Sequence, residues 1–149
     1  MRIVIDLQGA QNNSRNRGIG RYSLSLAKAI ARASKNSHEI VILLNGAFPN
    51  SIYDICNKFE GLVSKDNIKI FYGLEKTEAI NPDNNWRRVA SEHIYEEYVK
   101  ILSPDFLVVT SLIEGFEDET VVSVGKCSPE FQTAAILYDL IPLIGSSSD

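Results

Sequence analysis

The sequence lacks the features that mark several large classes of protein. Its two cysteines, Cys56 and Cys127, have no metal-ligand spacing, so we expect reduced thiols and neither a disulfide framework nor a metal site. No signal peptide precedes the first strand, and no apolar run approaches the ~20 residues that cross a bilayer. A net charge of -4 argues against nucleic acid as a partner. We expect a cytoplasmic protein, unless it rests on the inner surface of the membrane.

Nucleotide-binding and catalytic signatures are missing or incomplete. No Gly-Lys-Ser/Thr occurs, which excludes the phosphate loop of nucleotide triphosphatases. A dinucleotide fingerprint could begin at Gly18-Ile-Gly20, but Ser23 replaces its third glycine and Leu44-Asn45-Gly46 supplies no acid for a ribose. No Ser-His-Asp or Cys-His set is visible. The sequence therefore predicts neither a nicotinamide nor any other cofactor.

Short apolar runs alternate with helical periodicity along all 149 residues. We predict strands at residues 2–7, 39–44, 68–72, 105–110 and 133–138. We predict helices from residue 19 onward, within 51–61, at 86–102 and, as a short one, near 118–124. This order is typical of one α/β domain with a doubly wound, Rossmann-like parallel sheet and helices on both faces. Ligands of such sheets bind beyond the carboxyl ends of the strands.

The faces of the long helix at 86–102 follow from its hydrophobic residues. One side should pack on the sheet through Trp86, Val89, Ala90, Ile94, Tyr98, Ile101 and Leu102. The other side should be exposed and ion-paired through Arg87, Arg88, Glu92, Glu96 and Glu97. His93 is expected to be a half-buried structural residue.

A glycine- and arginine-rich turn follows the first strand and carries the first candidate site. Gly9, Gly18 and Gly20 would let the backbone approach a ligand, and the free N–H groups of the following helix favour an anion. Arg17 and Arg21 add positive charge there. A side chain at Gly20 should enter the ligand space and cost the fold little.

Further candidates follow other strands on the same predicted edge. Glu114 is the first choice among the acidic residues after the fourth strand, and Tyr138 and Asp139 end the fifth. Asp6, near the end of the first strand, is either a ligand contact or a hydrogen-bond anchor for the glycine loop. For Arg15 we favour a solvated loop residue.

Five motifs, in order along the chain, point to one family. They are Gly18-Ile-Gly20-Arg21-Tyr22-Ser23, Trp86-Arg-Arg88, Ser103-Pro-Asp105, Ser111-Leu-Ile-Glu-Gly115-Phe and Tyr138-Asp-Leu-Ile-Pro142. Together they resemble glycosyltransferase family 4, and especially the mannosyltransferase-like enzymes of bacterial polysaccharide and O-antigen (lipopolysaccharide) assembly. The resemblance covers essentially the whole chain and corresponds to the N-terminal half of the two-domain GT-B fold.

The resemblance implies a division of labour between two domains. In that family the N-terminal domain holds the acceptor, the C-terminal domain holds the nucleotide sugar, and transfer with retention occurs between them without a required metal. Residues 1–149 would then be the acceptor-side domain of a longer transferase, with the donor-binding domain absent from this sequence and the isolated domain inactive. The implied partners are GDP-mannose or a UDP-sugar, a glycan or lipid-linked acceptor, and the missing domain.

The resemblance also assigns roles to individual residues. Gly18 and Gly20 with Arg21 would form the loop next to the donor phosphate, where the helix N-terminus eases the charge of the departing diphosphate. Many members carry a histidine where this chain has Tyr138, so we expect Tyr138 to position the sugar without transferring a proton. Asp139 would accept hydrogen bonds from sugar hydroxyls or anchor the turn at 140–142.

Two other interpretations remain open at this point. The chain could be a non-catalytic sugar- or nucleotide-binding module that kept the same fold. More remotely, it could be a flavodoxin-like response or scaffold domain, although such a domain would need an acidic pocket where this sequence has glycines and arginines.

Overall fold

Five apolar segments form one parallel sheet in the computed structural model, which describes residues 1–126 and 131–138. The strands are Arg2–Asp6 (β1), Glu39–Asn45 (β2), Ile68–Phe71 (β3), Phe106–Val109 (β4) and Gln132–Ala135 (β5). The helices are Gly18–Ala33 (α1), Pro49–Lys58 (α2) and Asn85–Ile101 (α3). Single 3₁₀ turns lie at Gln8–Ala10, Lys65–Asn67 and Pro82–Asn84. The predicted Rossmann-like α/β fold is confirmed.

The strand order is β3-β2-β1-β4-β5, with every neighbouring pair parallel. The chain therefore builds outward from β1 in one direction through β2 and β3, and then in the other through β4 and β5. Alternate residues of β1 enter opposite layers of the core, since Val4 packs in one buried cluster and Ile5 in the other. One cluster includes Tyr95 and Val99 of α3, and the other includes Ala27 of α1 and Ile55 of α2.

Small residues let α1 lie close against the sheet. Its buried positions are Gly20, Ser23, Ala27 and Ala31, which recur at the three- and four-residue spacing of one helical face. Because none of these side chains is larger than that of serine, the helix axis can approach both the strands and the loop that precedes α1. Packing of α1 thus fixes where its N-terminus lies at the carboxyl edge of the sheet.

The predicted orientation of α3 is wrong for most of the helix, although Tyr98 and Leu102 of the predicted face do pack in the core. The helix buries Ser91, Glu92, Tyr95, Glu96 and Val99. Trp86 and Ile101 of the predicted apolar face are 60% and 76% exposed, and Val89, Ile94 and His93 are exposed as well.

Polar partners explain the burial of the two glutamates. Glu92 pairs with Arg88 and Lys126, and Glu96 accepts from the hydroxyl of Ser123 and from the backbone N–H of Lys126. The loop at 123–126 therefore covers this part of α3. A buried carboxylate is tolerated when it is paired in this way, which hydrophobic periodicity does not register.

The connection after β4 also differs from prediction. The short helix expected near 118–124 is not formed, and Val121 instead binds the side chain of Gln8 through both its N–H and its C=O. β5 ends earlier than predicted, although Ile136 continues backbone bonding to Val109 and Leu112. Among the described residues, no helix is both long enough and apolar enough to span a membrane.

We predict that Gly20→Ala destabilises the fold whereas Gly18→Ala does not. A Cβ at position 20 would lie 2.5 Å from the carbonyl oxygen of Ser14 and 2.6 Å from that of Arg15, whereas nothing lies within 4 Å of one at position 18. Overpacking of this kind costs about 1–3 kcal/mol, and removing an unneeded glycine is neutral or slightly stabilising. Urea unfolding of both variants measures the difference. Equal stability of the two would contradict the packing described here.

Candidate functional site

The direction of chain progression reverses between β1 and β4, which are neighbours in the sheet. At such a switch point the loops that leave the two strands separate, and their carboxyl ends border a crevice. Here the loop at 7–17 with the N-terminus of α1 and the loop at 110–126 meet at this point, and hydrogen bonds from Gln8 and Asn12 tie the two loops together. The candidate residues are placed on these segments and on the end of β5.

The floor of this edge is a buried polar network centred on Gln8. Its side-chain nitrogen donates to the carbonyl oxygen of Val121 (2.8 Å) and its side-chain oxygen accepts from the N–H of Val121 (3.0 Å). The same oxygen accepts from Nδ2 of Asn45 (2.9 Å). The amide of Gln8 therefore takes the place of a neighbouring strand's backbone and joins β1, β2 and the loop after β4.

Asp6 anchors the other side of the Gln8 amide. Its carboxylate accepts from the backbone N–H and the Nε2 of Gln8, both at 2.9 Å, and from the hydroxyl of Tyr95 at 2.6 Å. Burial raises the pKa of Asp6, and the hydrogen bonds from Tyr95 and Gln8 oppose part of that rise. Burial also raises the pKa of Tyr95, so the phenol stays protonated and donates. Of the two roles considered for Asp6, the structure shows that of a structural anchor, although it anchors Gln8 and not the loop at 14–18.

Gln11 repeats the pattern one turn further along. Its side-chain oxygen accepts from the N–H of Asn45 (2.7 Å), while its nitrogen donates to the carbonyl oxygen of Asn45 (3.1 Å) and to the hydroxyl of Ser51 (3.1 Å). This ties the loop after β1 to the end of β2 and to the first turn of α2. Gln8, Gln11 and Asn45 were expected at this edge of the sheet, but their hydrogen-bonding roles were not predicted. For Gln8 and Asn45, the sequence pattern that could have indicated this role is a carboxamide side chain at or just after the end of an apolar strand.

Glu114 is held at the same edge, half-buried. Its carboxylate accepts from Nδ2 of Asn12 (2.8 Å) and from the hydroxyl of Ser111 (2.6 Å). Burial raises the pKa of Glu114, and these two hydrogen bonds partly offset the effect. Because Asn12 also donates to Thr120, it connects the loops after β1 and β4. Glu114 is therefore fixed in place and still has acceptor capacity toward the solvent side.

The N-terminus of α1 offers unused hydrogen-bond donors. No side chain caps it, and within the described part of the chain no acceptor binds the N–H of Gly18 or Ile19. Gly18 is exposed, with open space where a side chain would be. Such a helix end carries a partial positive charge and suits an anion.

The other two glycines serve packing inside the protein. A Cβ at Gly20 would meet the backbone of Ser14 and Arg15, and one at Gly9 would lie 2.9 Å from Cβ of Ser111. The expectation that a side chain at Gly20 would enter ligand space at little cost to the fold is therefore wrong. Of Gly9, Gly18 and Gly20, only Gly18 has its surface facing outward.

Arg15, Arg17 and Arg21 are all exposed around the N-terminus of α1. The ion pairs formed within residues 1–126 and 131–138 involve other basic side chains. Arg17 is the N-cap residue of α1, and its carbonyl oxygen accepts from the N–H of Arg21. Three guanidinium groups without a described carboxylate partner give this corner a local positive charge.

Tyr138 reaches the same corner from the end of β5. Its hydroxyl donates to the carbonyl oxygen of Thr110 (2.9 Å) and lies 3.0 Å from Oγ of Ser23 in α1. Its ring meets that of Tyr22 edge to face, with centroids 5.7 Å apart. Burial raises the pKa of Tyr138, so its hydroxyl stays neutral. The loops after β1, β4 and β5 therefore meet on one edge, as predicted, whereas Asp139 lies outside the described residues.

Residues that could hold a metal are not grouped anywhere in the described ranges, since no three His, Cys, Asp or Glu side chains come together there. What this edge offers is an outward helix N-terminus, exposed arginines and one half-buried carboxylate. Chemically, such a set can bind an anion and accept hydrogen bonds from hydroxyl groups.

Comparison with known proteins adds the decisive observation. The chain is 31% identical over 145 residues, 97% of its length, to the serotype-specific mannosyltransferase WbdA of Escherichia coli. Two further Escherichia coli proteins of that name are 28% and 29% identical over 108 residues. The chain is homologous to a segment of these mannosyltransferases. The resemblance to glycosyltransferases is thereby confirmed.

The homology covers a small part of each relative. The chain spans 17% of the length of the first WbdA protein and 13% of the other two. No protein-family model matches the chain, and neither does any solved structure. The WbdA relationship therefore supports a glycosyltransferase domain, while the activity of the whole enzyme is a matter for proposal.

Replacing Asp6 by asparagine tests its role as the anchor of this edge. One oxygen could still accept from the N–H of Gln8, but the new NH₂ group would face Nε2 of Gln8, which is also a donor and is held by Val121. We expect Asp6→Asn to lower the free energy of unfolding by about 1–3 kcal/mol at neutral pH. Asp66→Asn, at an exposed position, should change it by less than about 0.5 kcal/mol.

The difference in unfolding free energy between the parent chain and Asp6→Asn should depend on pH with a definite sign. Because the pKa of Asp6 is raised in the native state, the folded chain binds its proton at a higher pH than the unfolded chain. Binding of this proton stabilises the folded chain, and that stabilisation is lost as the pH rises above about 3.9, the pKa of aspartate in the unfolded chain, and through the higher pKa of the folded chain. The advantage of the parent chain over Asp6→Asn should therefore shrink with rising pH in urea unfolding. An advantage that grows with pH would contradict the account.

Proposed function

We propose that this chain is the N-terminal, acceptor-side domain of a retaining mannosyltransferase with the two-domain GT-B architecture. The observation that carries the proposal is the alignment of 97% of the chain with a mannosyltransferase, together with a parallel sheet whose strand-end loops meet on one edge. The donor is GDP-mannose, with a UDP-sugar as the alternative, and the acceptor is a glycan or a lipid-linked glycan of polysaccharide or lipopolysaccharide assembly. The proposed location is the cytoplasm or the inner face of the membrane.

In this proposal the N-terminus of α1 faces the diphosphate of the donor. Charge develops on the diphosphate as the bond to the sugar breaks, and the N–H groups of Gly18 and Ile19 would stabilise it. The exposed side chains of Arg17 and Arg21 would add long-range attraction. The contribution of Gly20 is indirect, because it lets the loop at 14–15 pack on the helix.

Glu114 and the residues that follow β5 would bind and position the sugar. The carboxylate of Glu114 is fixed by Asn12 and Ser111 and can accept from a sugar hydroxyl. Tyr138 would act through position, since its hydroxyl already donates to Thr110. Asp139 would be the ionisable group at that strand end, accepting hydrogen bonds from sugar hydroxyls.

The hydrogen bond from Tyr138 to Thr110 favours a second candidate function. Where many related enzymes present a histidine, this chain has a phenol whose one donor hydrogen is used within the fold. A non-catalytic module that binds sugars would retain the shape of the edge without a group able to carry a proton at neutral pH. The two functions differ in whether a donor sugar is ever transferred.

The donor-binding groups should lie outside this chain, which calorimetry can test. Only one helix end and exposed arginines would contact the diphosphate, so we expect GDP-mannose and UDP-sugars to bind with dissociation constants of about 1 mM or weaker. GDP alone should bind no more tightly than GDP-mannose. A micromolar constant for either sugar nucleotide would place the donor site on this domain and overturn the proposed division of labour.

A further inference from the structure

A depression lies between the loop after β1 and the start of α2. It has a volume of about 420 Å³, and its lining includes no aspartate or glutamate. Its polar lining consists of carboxamides, one hydroxyl and the guanidinium of Arg15. Because β1 and β2 are adjacent, the depression opens on the same edge of the sheet as the N-terminus of α1.

The floor of the depression is buried and fully hydrogen-bonded. Gln11, Asn12 and Ser51 are at most 4% exposed. Gln11 binds Asn45 and Ser51, and Asn12 binds Glu114, Thr120 and the N–H of Ser14. These bonds use the floor's polar groups for structure and set the shape of the depression before any ligand arrives.

The rim has free hydrogen-bonding capacity. Asn13, Asn16 and Asn50 are exposed, and their side chains form no hydrogen bond with any residue that the structure describes. Each carboxamide offers two donor hydrogens and an acceptor oxygen. A sugar hydroxyl both donates and accepts, so neighbouring hydroxyls on a pyranose ring match such groups without needing any charge.

An apolar wall completes the depression. Phe48 and Pro49 line it together with Ala47, and Phe48 is partly exposed. One face of a pyranose ring consists mainly of C–H groups and buries well against an aromatic side chain. The depression therefore offers carboxamides on one side and an aromatic surface on the other. This combination suits a pyranose ring, which has polar hydroxyl groups and an apolar face.

We propose that this depression binds a pyranose residue of the acceptor glycan, through the side chains of Asn13, Asn16 and Asn50 and the ring of Phe48. This inference rests on the proposed function, because it names part of the acceptor site of the same transferase. The depression and the N-terminus of α1 share the loop after β1, because Asn16 lines the depression and the next residue, Arg17, is the N-cap of α1. A glycan in the depression can therefore extend its neighbouring residue toward the N-terminus of α1.

Side-chain NH₂ resonances of the 149-residue chain give a direct test. We expect methyl α-mannoside and a mannobiose, added up to about 50 mM, to shift the resonances of Asn13, Asn16 and Asn50, with the disaccharide binding more tightly. Mannitol has similar hydroxyls but no ring, so it should shift them far less. Absence of shifts with either sugar, or shifts confined to other residues, would overturn the proposal.

Variants test whether sugar binds in the depression or elsewhere on the surface. Asn13→Ala combined with Asn50→Ala should weaken sugar binding by about tenfold or more, the effect of losing one to two hydrogen bonds. Asn57→Ala, an exposed position near the other end of α2, is the matched control and should bind as the parent does. Unchanged binding by the double variant would also overturn the subsite.

The same spectra distinguish this inference from the proposed function. GMP should leave the three asparagine resonances in place, and their movement with GMP instead of sugar would make the depression a nucleoside site and overturn the inference. If the chain bound sugar here and also bound a sugar nucleotide with micromolar affinity, the subsite would stand while the proposed acceptor-side role would fail.

Discussion

The carboxyl edge of the sheet depends on hydrogen bonds from two buried glutamine side chains. Gln8 and Gln11 each present a carboxamide to both the N–H and the C=O of one distant residue, Val121 and Asn45 respectively. The chain leaves β1 and β2 at this edge, where backbone groups lose their strand partners. Since an unpaired buried backbone group costs about as much as a lost hydrogen bond, the glutamine amides let the loops pack without that penalty.

Asp6 makes the arrangement of Gln8 specific. An amide can be turned over with little change in shape, but the carboxylate of Asp6 accepts only hydrogen bonds and therefore selects the orientation in which Nε2 of Gln8 faces it. The opposite oxygen is then directed to Val121 and Asn45. One buried carboxylate thereby fixes the positions of three chain segments. The burial that this role requires raises the pKa of Asp6.

This hydrogen-bonded floor explains how groups carried on loops above it can form a site. Glu114, Asn13 and Asn16 belong to loops that would move freely if they were attached only at their ends. The network ties the loop after β1 to β2 and α2 through Gln11, and to the loop after β4 through Asn12. Homology to a mannosyltransferase gives this edge its proposed use in holding an acceptor beside a donor diphosphate.

Much of the fold was predictable from the sequence, and the detail of the site was not. Apolar runs such as Ile40–Leu44 identify buried parallel strands, and their alternation with helices implies the topology. Periodicity misplaced the buried face of α3 because Glu92 and Glu96 are buried by partners more than 25 positions away, such as Lys126 and Ser123. The role of Gly20 was misassigned for a different reason, because its close neighbour is the backbone of its own loop, and the path of that loop does not follow from residue type. Contacts of this kind leave no local pattern in the sequence.

The central claim, that this chain acts as the acceptor-side domain of a mannosyltransferase, can be tested most directly in a chimera. This chain would replace the homologous segment of Escherichia coli WbdA, and mannose transfer from GDP-mannose would be measured for the chimera and for its Gly18→Val variant. The account predicts transfer by the chimera and at least about a tenfold loss in the variant, since the new side chain would fill the open space at the N-terminus of α1. A chimera that folds, as judged by circular dichroism, but transfers no mannose, or a variant that transfers as fast as its parent, would contradict it.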